Sequence, residues 1–76
     1  MKENIKTMKD YIERMKNERD ELSEKLEKLN RFRCQNFHML DKTEWYLMKS
    51  QQNVMQEYVD ILDARIAHAA LKEQSK

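Results

Sequence analysis

The chain is predicted to be all-α: an antiparallel two-helix hairpin, coiled-coil-like, that assembles into a homo-oligomeric helical bundle. Three observations carry this. The 76 residues include no glycine and no proline, which removes the residues that tight hairpin turns and most all-β folds need for positive φ angles. An apolar seam at alternating spacings of three and four runs through the first half. One position, Asp41, carries two helix-start signals at once.

The first helix is expected over about residues 2–33. Ile5, Met8, Ile12, Met15, Leu22, Leu26 and Leu29 occupy the inward positions of one unbroken heptad register, and Arg19 and Arg33 take two more. Asp10–Arg14, Glu21–Lys25, Glu24–Lys28 and Glu27–Arg31 add acid-before-base pairs four residues apart. Each contributes only a few tenths of a kcal/mol, roughly, so they support the helix without creating it.

A loop over about 34–41 follows, because Gln35, Asn36 and Phe37 abandon the register. Asp41-Lys42-Thr43-Glu44 then has the form of a capping box, with Leu40 and Trp45 at the spacing of a hydrophobic staple. The second helix is expected over about 42–73. Its stripe combines Leu47/Met48, Gln51, Val54/Met55, Tyr58, Ile61/Leu62, Arg65/Ile66 and Ala69, with Lys49, Asn53, Gln56, Asp60 and Asp63 on the solvated side. That face is broader than one partner helix covers. Two equal helices joined by a short loop pair antiparallel; the alternative is one continuous rod.

A lone hairpin gives each helix one dry neighbour, and ordering costs about 1.5 kcal/mol per residue. Oligomerisation is therefore expected, with two hairpins in a four-helix bundle as the simplest closed arrangement and a higher ring as the other.

Fifteen basic and 14 acidic residues leave a net charge of +1. That balance argues against nucleic acid as the main partner, since phosphate contacts dominate such affinity. The N-terminal stretch lacks the apolar run of a signal peptide, no window suits a membrane span, and a single cysteine, Cys34, makes no internal disulfide. A cytoplasmic location without membrane association follows as the expectation.

No nucleophile motif, glycine-rich loop or metal-ligand spacing is present, and His38 and His68 stand thirty positions apart. A non-catalytic protein without metal or cofactor is expected. Function is sought instead among polar side chains inside the apolar register. Arg19, Gln51 and Arg65, with Tyr58, either set register and oligomer state or converge between protomers to bind an anion. A guanidinium pairs bidentately with phosphate or carboxylate, and tyrosine adds a ring face and a hydroxyl. A second group, Phe32, Arg33, Phe37, His38 and Trp45 with Leu40, either closes the hairpin end or presents a hot spot to a protein partner.

The run from Leu40 to Ile66 resembles small helical-hairpin proteins of crAss-like and other tailed phages. Leu47, Gln51, Met55, Tyr58, Leu62, Arg65 and Ile66 match the pattern Leu-x3-Gln-x3-Met-x2-Tyr-x3-Leu-x2-Arg-Ile, whereas the first half matches only as a generic charged helix. The resemblance implies a phage accessory protein without enzymatic activity. It points to a counter-defence antagonist that sequesters a nucleotide second messenger or a host defence protein. A purely structural oligomerisation module with no ligand is the alternative.

Overall fold

The computed structural model describes the backbone of residues 2–74 and the side chains of residues 9–73. Two helices, α1 (Lys2–Gln35) and α2 (Lys42–Gln74), pack side by side as an antiparallel hairpin 56 Å long and about 14 Å across. No strand occurs among the described residues.

The reversal is built without special backbone conformations. Helix α1 runs two residues past its expected end and stops at Asn36, which satisfies the last turn twice. Its backbone N–H donates to the Phe32 carbonyl at 3.0 Å, and its side-chain amide donates to the same oxygen at 2.9 Å. Met39 N–H then donates to the Asn36 carbonyl at 2.9 Å, tightening the turn. Among the described residues none has positive φ. At the start of α2, Glu44 N–H donates to Asp41 Oδ1 at 2.7 Å and Trp45 N–H to the Asp41 carbonyl at 3.0 Å. A short polar side chain thereby satisfies an N–H that lacks an intrahelical partner.

The α1 side of the interface follows the heptad seam. Ile12 and Met15 are buried, and Arg19, Leu22, Leu26, Leu29 and Arg33 are half-buried. Ile5 and Met8, the first two seam residues, lie outside the described side chains.

Helix α2 differs from the broad stripe expected of it. Its inward line is Trp45, Met48, Gln52, Met55, Val59, Leu62, Ile66 and Ala69, a strict alternation of three and four. Leu62 is fully buried, with Val59 and Ala69 close behind. Gln51 therefore does not occupy the seam; Gln52 does, and it is satisfied there. Its Nε2 donates to Asn30 Oδ1 at 3.0 Å, and its Oε1 accepts from Arg33 Nη1. The other half of the expected stripe, Leu47, Val54 and Ile61, stands 60%, 65% and 55% exposed. Two apolar lines run along α2 one residue out of phase, and α1 covers only one of them.

The core is accordingly thin. Five hydrophobic side chains are buried among those described: Ile12, Met15, Val59, Leu62 and Ala69. The chain exposes 6359 Å², about 1,300 Å² more than the roughly 5,000 Å² that size scaling gives a folded monomer of 9.4 kDa. Its radius of gyration of 17.1 Å likewise exceeds the roughly 11 Å of a compact 76-residue domain.

Candidate functional site

The seam divides the hairpin into two flanks, and polar residues sort between them according to heptad position. Positions just before an α2 seam residue fall on one side: Gln51, Tyr58, Arg65 and Lys72, spaced by seven. Two of them reach α1, Arg65 at Tyr11 and Tyr58 at Glu18. Arg65 Nη2 donates to the Tyr11 hydroxyl while its guanidinium carbon lies 5.8 Å from the centre of the same ring. The Tyr58 hydroxyl donates to Glu18 Oε1. This is the tyrosine flank. Both groups are shifted by these neighbours. The bond from Tyr58 to the Glu18 carboxylate raises the tyrosine above its ordinary range. The bond to Tyr11 likewise holds Arg65 more firmly protonated.

Arg19 projects to the opposite side. Its Nη1 donates to Asp63 Oδ1 and its Nε to Asp20 Oδ1, each at 2.8 Å. Two carboxylates, Asp63 foremost, hold the guanidinium charged and occupy its donors. Asp63, assigned from the sequence to a solvated face, is thus a cross-helix partner. Of the four residues singled out as a ligand set, the fold brings Gln51, Tyr58 and Arg65 to one flank of the chain and sends Arg19 to the other. Tyr11 of α1 joins that flank through its contact with Arg65.

The tyrosine flank opens into a groove of about 460 Å³ towards the free ends of the helices, lined by Tyr11, Ile61, Ala64, Arg65, His68, Ala69 and Lys72. Its lining combines small and branched apolar side chains, one aromatic ring and three nitrogen-bearing side chains. A volume of that order falls in the range of small-ligand sites. His68, which carried no assignment from the sequence, enters here because it falls seven residues after Ile61 on the second apolar line.

The loop end holds the other cluster. Two cations approach the Trp45 ring, Arg33 at 4.8 Å and Lys49 at 5.4 Å from its centre. Arg33, Cys34, Phe37 and Trp45 line a depression of about 320 Å³. Leu40 and Trp45, the staple pair, border a smaller one of about 200 Å³ with Phe37, Lys42 and Tyr46. Phe37 meets His38 edge-on, with ring centres 5.8 Å apart. Cys34 is exposed, its thiol directed to Asn30 Oδ1 at 4.0 Å. Phe32 is half exposed on α1. The described residues contain no group of three or more His, Cys, Asp or Glu suited to a metal ion, and neither helix is long and apolar enough to cross a membrane.

Fold and site together define an all-α hairpin protein with a groove on the tyrosine flank, depressions at the loop end and a further one of about 320 Å³ on the opposite flank between Asn30 and Gln56. The family model called Sequestin matches residues 9–68, and the chain belongs to that family. The match spans the loop and most of both helices, and so takes in the Trp45 cluster and the tyrosine flank as far as His68. No curated protein and no solved structure matches the chain.

Proposed function

We propose that this protein is a non-catalytic binding protein of tailed-phage origin that sequesters a nucleotide immune signal of the host. The observation that carries the reading is the groove beside Tyr11. Its apolar lining of Ile61, Ala64 and Ala69 suits the face of a base or ribose, while Arg65, His68 and Lys72 in the same lining suit phosphate oxygens. A family name compatible with sequestration and the resemblance to phage accessory proteins point the same way. Sequestration needs affinity and stoichiometry, and it asks for no activated nucleophile or general base.

The test is thermal stability with a panel of cyclic dinucleotides and ADP-ribose derivatives. A bound nucleotide at a hundred times its Kd adds about 2.7 kcal/mol to stability, which is a shift of many degrees for a chain this size. Arg65→Ala abolishes the shift, and Arg19→Ala leaves it in place because Arg19 faces the other flank. A panel that shifts nothing, or an Arg19→Ala variant as deficient as Arg65→Ala, overturns the reading.

A host protein is the second target to be considered, and the loop end is the observation that favours it. Phe37 and Met39 are 63% and 75% exposed beside Arg33, His38 and Trp45, an aromatic and arginine grouping of the kind enriched at protein interfaces. Phe37→Ala would then remove capture of that partner and leave nucleotide shifts unchanged.

A further inference from the structure

The second apolar line of α2 is continuous with the groove and belongs to the same face of the hairpin. Leu47, Val54 and Ile61 stand seven residues apart, interleaved with Gln51, Tyr58 and Arg65. Together they form a second seam in the same alternation of three and four, with Tyr11 and Phe32 of α1 flanking it at 44% and 49% exposure. A commensurate seam is a surface for another helix, since a heptad repeat keeps one stripe facing its partner over several turns.

Two quantities identify the occupant. The chain exposes about 1,300 Å² beyond the norm for its mass, and a standard interface removes about 800 Å² from each partner. One contact on this face therefore accounts for more than half of the excess. Charge then fixes the direction. At one end the α2 seam has Glu44 ahead of the uncharged Leu47, Gln51 and Val54, and at the other it has Arg65. Parallel packing of two copies would set Glu44 against Glu44 and Arg65 against Arg65. Antiparallel packing lays the basic end of each beside the acidic end of the other.

We infer that a second copy packs antiparallel on the Leu47–Val54–Ile61 seam, about a two-fold axis near Tyr58, and closes the groove beside Tyr11. At that register the partner subunit's Leu47 and the partner subunit's Gln51 lie beside Arg65. Each of the two grooves then becomes an intersubunit pocket, with an amide from the partner subunit's Gln51 added to its rim. This deepens the nucleotide reading and rests on it only for what fills the pocket; the assembly is tested without any ligand.

The experiment is light scattering coupled to size exclusion on the full chain, followed by cross-linking in a Cys34→Ser background. The expected mass is twice 9.4 kDa, falling to one chain with Ile61→Asp, whose site is exposed within the hairpin. Leu47→Cys and His68→Cys, mixed and treated with a short bis-maleimide, form the mixed dimer. Neither cross-links alone, because an antiparallel axis near Tyr58 separates the two copies of position 47 by about 33 Å at 1.5 Å per residue. Cross-linking of Leu47→Cys with itself, monomer mass at all concentrations, or no mixed product each overturns the inference. The cross-links decide it even if Ile61→Asp fails to fold. A correct assembly that binds no nucleotide refutes the functional reading alone.

Discussion

Neighbouring residues Ile61 and Leu62 differ in the position of one methyl branch and by one step of helical phase, and the hairpin predicts opposite consequences for truncating them. Leu62 is 0% exposed, Ile61 55%. Leu62→Ala removes a fully packed side chain from a core of five buried hydrophobics, and large-to-small changes at such sites cost about 2.7–5 kcal/mol through lost transfer energy and a residual cavity. Total stability for 76 residues is expected near 4–11 kcal/mol, so about 3 kcal/mol is a large share of it. At roughly 4–8 °C per kcal/mol, the melting temperature falls by about 12–24 °C. Ile61→Ala, measured where the chain is monomeric, costs within about 1 kcal/mol, as exposed substitutions do. Urea unfolding followed by circular dichroism gives both numbers, with the slope checking that the unfolded state is unchanged. Equal costs for the two variants in the monomer would show that α1 does not select the Leu62 line, and the division of α2 into a covered and an uncovered seam would fall.

Three further outcomes follow from the same contacts. Asp41→Ala, which removes the acceptor for Glu44 N–H, lowers stability by about 1 kcal/mol and Asp41→Asn by much less; thermal melts of the three proteins check it. Tyr58 holds its proton above the ordinary tyrosine range because it donates to Glu18. A raised folded-state value gives stability that is complete below about pH 10 and lost as pH rises through the folded value. Tyr58→Phe should therefore unfold less steeply on the alkaline side, seen by following helicity from pH 8 upward. Arg19→Met exchanges ion pairs to two exposed carboxylates, which solvent screens, for an apolar seam residue. It should leave the thermal melt close to that of the parent, and unfolding at room temperature would show that Arg19 holds the hairpin.

The first helix and the turn were legible because each carried one unambiguous signal. Ile12, Met15, Leu22, Leu26 and Leu29 admit a single inward face, and the Asp41 cap with its Trp45 staple marks one start. Helix α2 was not legible to the same degree. Leu47-Val54-Ile61 and Met48-Met55-Leu62 have the same period and similar hydrophobicity, so periodicity alone gives two solutions a hundred degrees apart. The line that α1 covers is the one that also brings Gln52 to Asn30 and Arg33 across the interface, a matter of register between helices. The same holds for the site. Arg19 and Arg65 look alike as charged residues near an apolar stripe. Only the pairing of α1 with α2 sends one to Asp63 and the other to Tyr11. The strict three-four spacing from Trp45 to Ala69, counted as its own series, was the available signal for the covered line and for Gln52 within it.

The reversal between the helices asks nothing unusual of its backbone: no glycine, no proline, and no positive φ among the described residues. Its order comes from two ends, Asn36 closing α1 and Asp41 opening α2. Phe37, His38 and Met39 between them are placed by the frame without being needed to make it. A lineage of such hairpins can therefore rewrite those three side chains by ordinary substitution while the anchors stay fixed. The bend becomes the part of the molecule best able to change its outside acquaintances, and its history should show turnover there against constancy at Asn36 and Asp41.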